Sequence, residues 1–363
     1  MRHFALSFLL AAVAFAADFE TGFVKQSDEG IFRWNTIPQI ARLSNGHLLT
    51  VWWVMPKGQA RGFIYGAFSS DSGRTWSEPK LLIEDAVKTS GDPNILVDGK
   101  KVFVFSTQVL MPNKINKSWI AMVRSEDDGK TWTKPADIPI PRQYVAGKQH
   151  NGIKLRDGTY MFGVAWDKWP EIGMAARTEG EMDLTTGVMI SKDGEHWTLH
   201  GAVHTFVDKI SPNSTNGLCE PSLVELDNGE ILMILRSGDS FHYESRSNDG
   251  GVTWSIPVRS SLPGNNTPSA LWRLDQNSKE IIVVWNASPL ARYPLSTAIS
   301  ADGGKTWSKP RILAQTEALQ VSYPGITQAS DGTFIAVWQQ ALKDNNGRDI
   351  RWARFTRDWV LGK

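Results

Sequence analysis

The 363 residues carry 39 Lys and Arg against 38 Asp and Glu, a formal charge of +1. That balance offers no basic field for nucleic acid or an anionic membrane surface. The single cysteine, Cys219, excludes an internal disulfide framework, so sheets and apolar cores must hold the chain together. No apolar stretch is long enough to span a bilayer, so membrane insertion is not expected.

The first segment reads as an address rather than as part of a fold. Arg2 and His3 precede an apolar run from Phe4 to Phe15, and Ala14-Phe15-Ala16 has the small-x-small form of a cleavage site. Residues 1–17 are therefore expected to be a signal peptide. Residues 18–363 are expected to be one secreted or periplasmic domain, acting as a monomer.

Beyond residue 18 the chain repeats itself. Ser-x-Asp-x-Gly-x-x-Trp occurs at Ser69 to Trp76, Ser125 to Trp132, Ser247 to Trp254 and Ser300 to Trp307, with a copy one residue shorter at Ser191 to Trp197. The Trp-to-Trp steps of 56, 65, 57 and 53 residues mark a repeat architecture. In each copy the Asp is suited to bind backbone N–H groups of its own turn, and the Gly supplies a positive φ. Apolar strands begin at Ile37-Pro38, Asp92-Pro93, His150-Asn151, Glu220-Pro221, Thr267-Pro268 and Tyr323-Pro324. Each is followed by a turn and a second apolar strand. Six starts predict six blades of an all-β propeller. The N-terminal strand Phe19 to Lys25 is expected to complete the last blade and close the ring.

Pseudosymmetry turns this pattern into a candidate site. The residue before each x-Pro step should lie at the mouth of a central funnel, and so should the end of each antiparallel second strand. The mouth then collects Asp92, His150, Glu220 and Tyr323 with Arg236, Asn286 and Gln340. The longest insertion, Ala165 to Thr186, adds Trp166 and Trp169 as candidate sugar contacts. No metal-ligand spacing is legible among the histidines, and neither metal nor cofactor is expected.

The repeated turns resemble the Asp-boxes of the sialidase-like (neuraminidase) β-propellers, over nearly the whole chain after residue 17. Glu220-Pro-Ser-Leu-Val-Glu-Leu followed by Arg236 resembles that family's catalytic Glu and second Arg. Arg292 resembles its third Arg, and Val321-Ser-Tyr323-Pro-Gly-Ile its nucleophile segment. The resemblance implies a glycoside hydrolase acting on an acidic sugar at the end of a glycan. Tyr323 would be the nucleophile and Glu220 its base, with Arg236 and Arg292 holding the substrate carboxylate. A phenol suits this task because a carboxylate nucleophile would be repelled by the carboxylate on the anomeric carbon.

The chain departs from the family at two points. Thr36-Ile37-Pro38 stands where blade one carries Arg-Ile-Pro, and the loop from Met55 to Gly62 holds no carboxylate. Asp92 and His150 are the candidates to supply a proton instead, and Arg33 is the Arg nearest the first departure. Two other readings stay open. One is a lyase on a uronate-containing glycan, using His150 and Tyr323. The other is a propeller that binds carbohydrate without turning it over.

Overall fold

The computed structural model describes residues 18–363 apart from 60, 111–117, 141, 143–144, 147–150, 169–182, 213 and 275–278. The expected signal peptide, residues 1–17, thus lies outside the described residues.

The strands follow one another as antiparallel meanders. β1 (Phe19–Lys25) precedes a first meander of β2 (Trp34–Arg42), β3 (Leu48–Met55), β4 (Phe63–Ser69) and β5 (Lys80–Ile83). The second is β6 (Lys88–Asp98), β7 (Lys101–Leu110), β8 (Ser118–Ser125) and β9 (Ala136–Ile138). The third is β10 (Val145–Ala146), β11 (Ile153–Lys154), β12 (Tyr160–Asp167), β13 (Asp183–Ser191) and β14 (Thr198–Val203). The fourth is β15 (Asn216–Glu225), β16 (Ile231–Ser237), β17 (Phe241–Ser247) and β18 (Val258–Pro263). The fifth is β19 (Ser269–Arg273), β20 (Ile281–Asn286), β21 (Leu295–Ser300) and β22 (Arg311–Ala314). The sixth is β23 (Val321–Gln328), β24 (Phe334–Ala341) and β25 (Arg348–Phe355), followed by the short helix α1 (Arg357–Leu361). β1 lies antiparallel along β25, from Phe19 opposite Phe355 to Lys25 opposite Ile350, and so gives the sixth meander its fourth strand.

Among the described residues, hydrogen bonding gathers these meanders into four sheets rather than six separate blades. Short parallel bridges are the reason. Trp34 pairs with Arg348, joining the first and sixth meanders. Asp183 and Leu184 pair with Asn216 and Gly217, joining the third and fourth. Among the described residues the strand ladders do not close into one ring, although single main-chain bonds reach across, from the Ser90 amide to the Gly62 carbonyl at 3.0 Å, from Gly152 to Ile95 at 2.9 Å and from Val321 to Arg292 at 3.0 Å.

The core sits between meanders, because each sheet is apolar on both faces. Ile40, Leu48 and Trp52 pack with Ile335 and Val337 between the first and sixth. Leu49 and Ile64 pack with Ile95 and Val104 between the first and second. Phe103 and Phe105 meet Phe162 and Met189 between the second and third. Met161 and Val188 meet Ile231 and Met233 between the third and fourth, Leu232 and Ile234 meet Ile281 and Val283 between the fourth and fifth, and Ile282 and Val284 meet Phe334 and Trp338 between the fifth and sixth. The inner strands touch in the same order: β2 with β6, β6 with β11, β12 with β15, β15 with β19, β19 with β23, and β23 with β2.

The repeated turns fasten each meander to the one before it. In the last copy the Asp302 carboxylate accepts from the Thr306 amide at 2.9 Å and its hydroxyl at 2.6 Å, while the Ser300 Oγ accepts from the Gly304 amide at 2.8 Å. The Thr306 hydroxyl leads the causes that pull Asp302 down to about 2, and Thr253 does the same for Asp249. Gly304 has φ +87°, and a Cβ there would lie 2.7 Å from Leu232 of the preceding meander. Only glycine satisfies both the turn and that close approach.

Candidate active site

The x-Pro steps owe their role to the missing N–H of proline. It breaks the ladder, and the strand answers with a bulge. Pairing slips between Thr36 and Gln39, Gly91 and Asn94, Cys219 and Ser222, and Ser322 and Gly325. The residue at each slip takes a left-handed conformation: Ile37 at φ 51°, Asp92 at 47°, Glu220 at 47° and Tyr323 at 56°. Such backbone costs about 1–3 kcal/mol per residue and is held only where its surroundings impose it. Four repeats therefore turn one side chain each out of the regular alternation at the same level of the inner strand.

Glu220, Arg236 and Tyr323 meet there, exposed by 2%, 4% and 7%. Arg236 Nη1 donates to Glu220 Oε1 at 2.5 Å and to Tyr323 Oη at 3.1 Å. Tyr323 Oη donates to the same Glu220 Oε1 at 3.4 Å. Glu220 Oε2 is buried without a hydrogen-bond partner among the described residues. Arg236 reaches the group because it lies opposite Cys219 on the neighbouring strand. Arg292 stands beside them, its guanidinium 5.8 Å from the Tyr323 ring centre.

Three residues that sequence reasoning missed complete the constellation. Asn266, at φ 50°, takes the place expected for Thr267, one residue later. Its Oδ1 accepts from Arg236 Nε at 2.9 Å and from the Thr215 hydroxyl at 2.9 Å, and its carbonyl accepts from Arg292 Nη2 at 2.7 Å. One asparagine thus sets the position of both arginines. Thr215 in turn accepts from Arg236 Nη2 at 3.2 Å. Arg348, at the start of β25, is the third. Burial lowers its pKa, with Tyr323 acting to raise it and Arg292 to lower it, so its guanidinium lies within electrostatic reach of both. Its Nε is buried without a hydrogen-bond partner among the described residues. Position in the repeat could have flagged Asn266, since a positive φ favours Asn. No local signal marks Arg348, which is brought in by its parallel pairing with Trp34.

Other expectations need correction. Trp166 is 2% exposed and packs with Phe162 and Met189, so it is a core residue rather than a sugar contact. Asn286 is fully buried, and its amide donates to the carbonyls of Val321 at 2.7 Å and Pro294 at 3.3 Å. It anchors the segment leading to Tyr323 instead of facing substrate. Gln340 points to the other side of β24, where it accepts from Trp338 Nε1 at 3.5 Å. Strand alternation gives its expected place to Gln339, which lies opposite Ser322 and accepts from the Ile37 amide at 3.0 Å. Arg33 is held by Glu29 at 2.6 Å. Asp92 stands at the equivalent bulge of β6. His150 and Trp169 lie outside the described residues.

A family model for the BNR repeat-like domain matches residues 46–336, well over half of the chain. The chain belongs to the BNR repeat-like family. Among relatives of this BNR repeat-like protein is a sialidase of Bacteroides fragilis, 24% identical over 311 residues, covering 76% of this chain and 53% of the relative. A sialidase of Clostridium perfringens is 24% identical over 256 residues, covering 61% of this chain and 62% of the relative. The chain thus spans about half to three-fifths of these relatives' length. Among solved structures, the Hadza microbial sialidase Hz136 superposes with a TM-score of 0.78 at 18% identity, covering 94% of this chain and 69% of the other. A protein of unknown function from Dyadobacter fermentans superposes at 0.73 with 18% identity, covering 93% and 99%. At these identities the likeness is one of fold, shared with an all-β chain built on BNR repeats.

Proposed function

We propose that the chain is an exported, monomeric sialidase-type glycoside hydrolase that removes an acidic sugar from the end of a glycan. Its scaffold would be a six-bladed ring, each meander one blade. The cyclic order of interblade cores and inner-strand contacts supports that reading, as does β1 lying beside β25. The observation that carries the chemistry is the buried group of Tyr323, Glu220 and Arg236, in which one carboxylate oxygen and one guanidinium nitrogen both face the phenol.

A phenol titrating near ~10 is a poor nucleophile at neutral pH and needs a base within reach. In this reading Glu220 Oε1 takes the Tyr323 proton as Oη bonds to the anomeric carbon. The 3.4 Å contact shortens in the substrate complex, as catalytic hydrogen bonds in unliganded sites do. Arg236 Nη1 stabilises the developing phenolate. The glycosidic C–O bond breaks, and the leaving oxygen takes a proton from Asp92, the carboxyl group at the equivalent bulge of β6. Water then cleaves the tyrosyl–sugar bond, returning a proton to Asp92, while the released phenolate recovers its own from Glu220. Arg292 and Arg348 meet the substrate carboxylate, because two arginines with no acidic partner among the described residues favour an anion.

The test is turnover of a fluorogenic sialoside by the protein with and without Tyr323→Phe and Glu220→Gln. Loss of about 10²–10⁴-fold in kcat for Glu220→Gln, and at least as much for Tyr323→Phe, is expected. Turnover indifferent to Tyr323 would overturn the proposal.

A further inference from the structure

A second concave site lies at the far end of the same inner strands. Glu225 is five residues beyond Glu220 on β15, about 16 Å away at the rise of a strand. Between the strand ends opens a cavity of about 620 Å³, bordered by a recess of about 280 Å³ that shares Arg42. That volume is typical of small-molecule sites. Neither Tyr323 nor Arg236 lines it.

We propose that this cavity binds a sugar carboxylate, as a site separate from the Tyr323 mouth. Charge is the first reason. Four basic residues (Arg42, Lys154, Arg156 and Arg273) line it, against two acidic ones, Asp98 and Glu225. Both acids are already engaged. Asp98 accepts from Lys154 at 2.8 Å and from the Tyr160 hydroxyl at 2.7 Å. Glu225 accepts from the Arg156 amide at 3.1 Å and lies 3.8 Å from Arg273. Arg42 is exposed and bonds the Ala329 carbonyl at 3.3 Å, with no carboxylate partner among the described residues. An anion entering the cavity meets a guanidinium that does not have to break an ion pair first.

The second reason is the wall opposite. Trp272 lines the cavity half-buried, backed by the core between the fifth and sixth meanders. A rigid indole is a platform for the apolar face of a sugar ring. Gln328, whose Nε2 donates to the Gly332 carbonyl at 2.9 Å, keeps its Oε1 as an acceptor for a sugar hydroxyl. Excess positive charge disfavours a metal cation, so an acidic monosaccharide is the ligand that matches both the cation and the ring.

The experiment is isothermal titration of the whole protein with sodium glucuronate, with glucose as the neutral control. Glucuronate is expected to show a saturable event that Arg42→Ala and Trp272→Leu each weaken at least tenfold and that Arg292→Ala leaves unchanged. Glucose should not produce it. Arg42 is exposed, so its removal leaves the fold intact even if Trp272→Leu does not. The idea fails if no saturable event occurs or if glucose binds equally. It also fails if Arg292→Ala abolishes the event and Arg42→Ala spares it, which would put the carboxylate at the Tyr323 mouth. The hydrolase reading is not assumed, and a negative sialoside assay leaves this outcome untouched.

Discussion

Removing Arg236 should destabilise the protein far more than deleting its packing would suggest. Its guanidinium lies 2.5 Å from Glu220, and both side chains are almost fully buried. Arg236→Ala leaves a buried carboxylate whose Oε2 already has no hydrogen-bond partner among the described residues. Breaking a buried pair from one side costs about 3–5 kcal/mol, because the remaining charge is uncompensated. At about 2.1 cal/mol/K per residue, the roughly 345 residues beyond the expected signal peptide unfold with an entropy of about 0.7 kcal/mol/K. The cost therefore corresponds to a fall in Tm of about 4–7 °C. The double variant Arg236→Ala with Glu220→Gln removes the charge as well and should recover a large part of that loss. Differential scanning calorimetry of the wild type, both single variants and the double variant measures the coupling. A double variant no more stable than Arg236→Ala alone would refute the reasoning, since the buried charge would not be what costs.

Three further outcomes are expected. Asp302 is held at about 2, mainly by its hydrogen bond from the Thr306 hydroxyl. A depressed carboxylate stabilises the fold above its unfolded value near ~3.8–3.9, and that contribution is lost as pH falls through about 2. The Tm gap between the wild type and Asp302→Asn should therefore narrow from pH 4 toward pH 2, and a constant gap would contradict the assignment. Trp166→Ala should lower stability by about 3–5 kcal/mol through the cavity it leaves, while KM for a sialoside stays near that of the wild type; a raised KM with unchanged Tm would restore Trp166 as a sugar contact. Arg348→Ala should lower kcat/KM for a sialoside about tenfold or more but leave an uncharged glycoside no worse bound, which steady-state kinetics and inhibition by neutral sugars can separate.

Much of the fold was legible because its grammar is local. Ser, Asp, Gly and Trp at fixed offsets make a turn from their own short-range bonds, as Ser300, Asp302 and Gly304 do. The x-Pro step also marks the mouth locally, because a proline that cannot donate forces a bulge wherever it sits in a ladder. Glu220, Tyr323 and Asp92 could be singled out on that ground. Gln339 and Asn266 stand one residue from Gln340 and Thr267, where the pattern predicts them, because alternation and bulge position depend on the partner strand. Trp166 is buried in the core, and a tryptophan next to an insertion looks the same in sequence whether it faces a sugar or the adjoining sheet.

The chain's own sequence determined the repeat, its turns and the residues that leave regular strand geometry, since each rests on contacts within a few residues. The tertiary structure alone decided which of those side chains meet. Glu220 and Tyr323 are 103 residues apart yet share a hydrogen bond, and Arg236 bridges them. Asn266 joins Arg236 to Arg292, and the parallel bridge of β25 to β2 carries Arg348 to the same group. The physical reason is that burial selects the partners. A charge removed from water must find a compensating group in space, and where that group lies along the chain does not enter the energy.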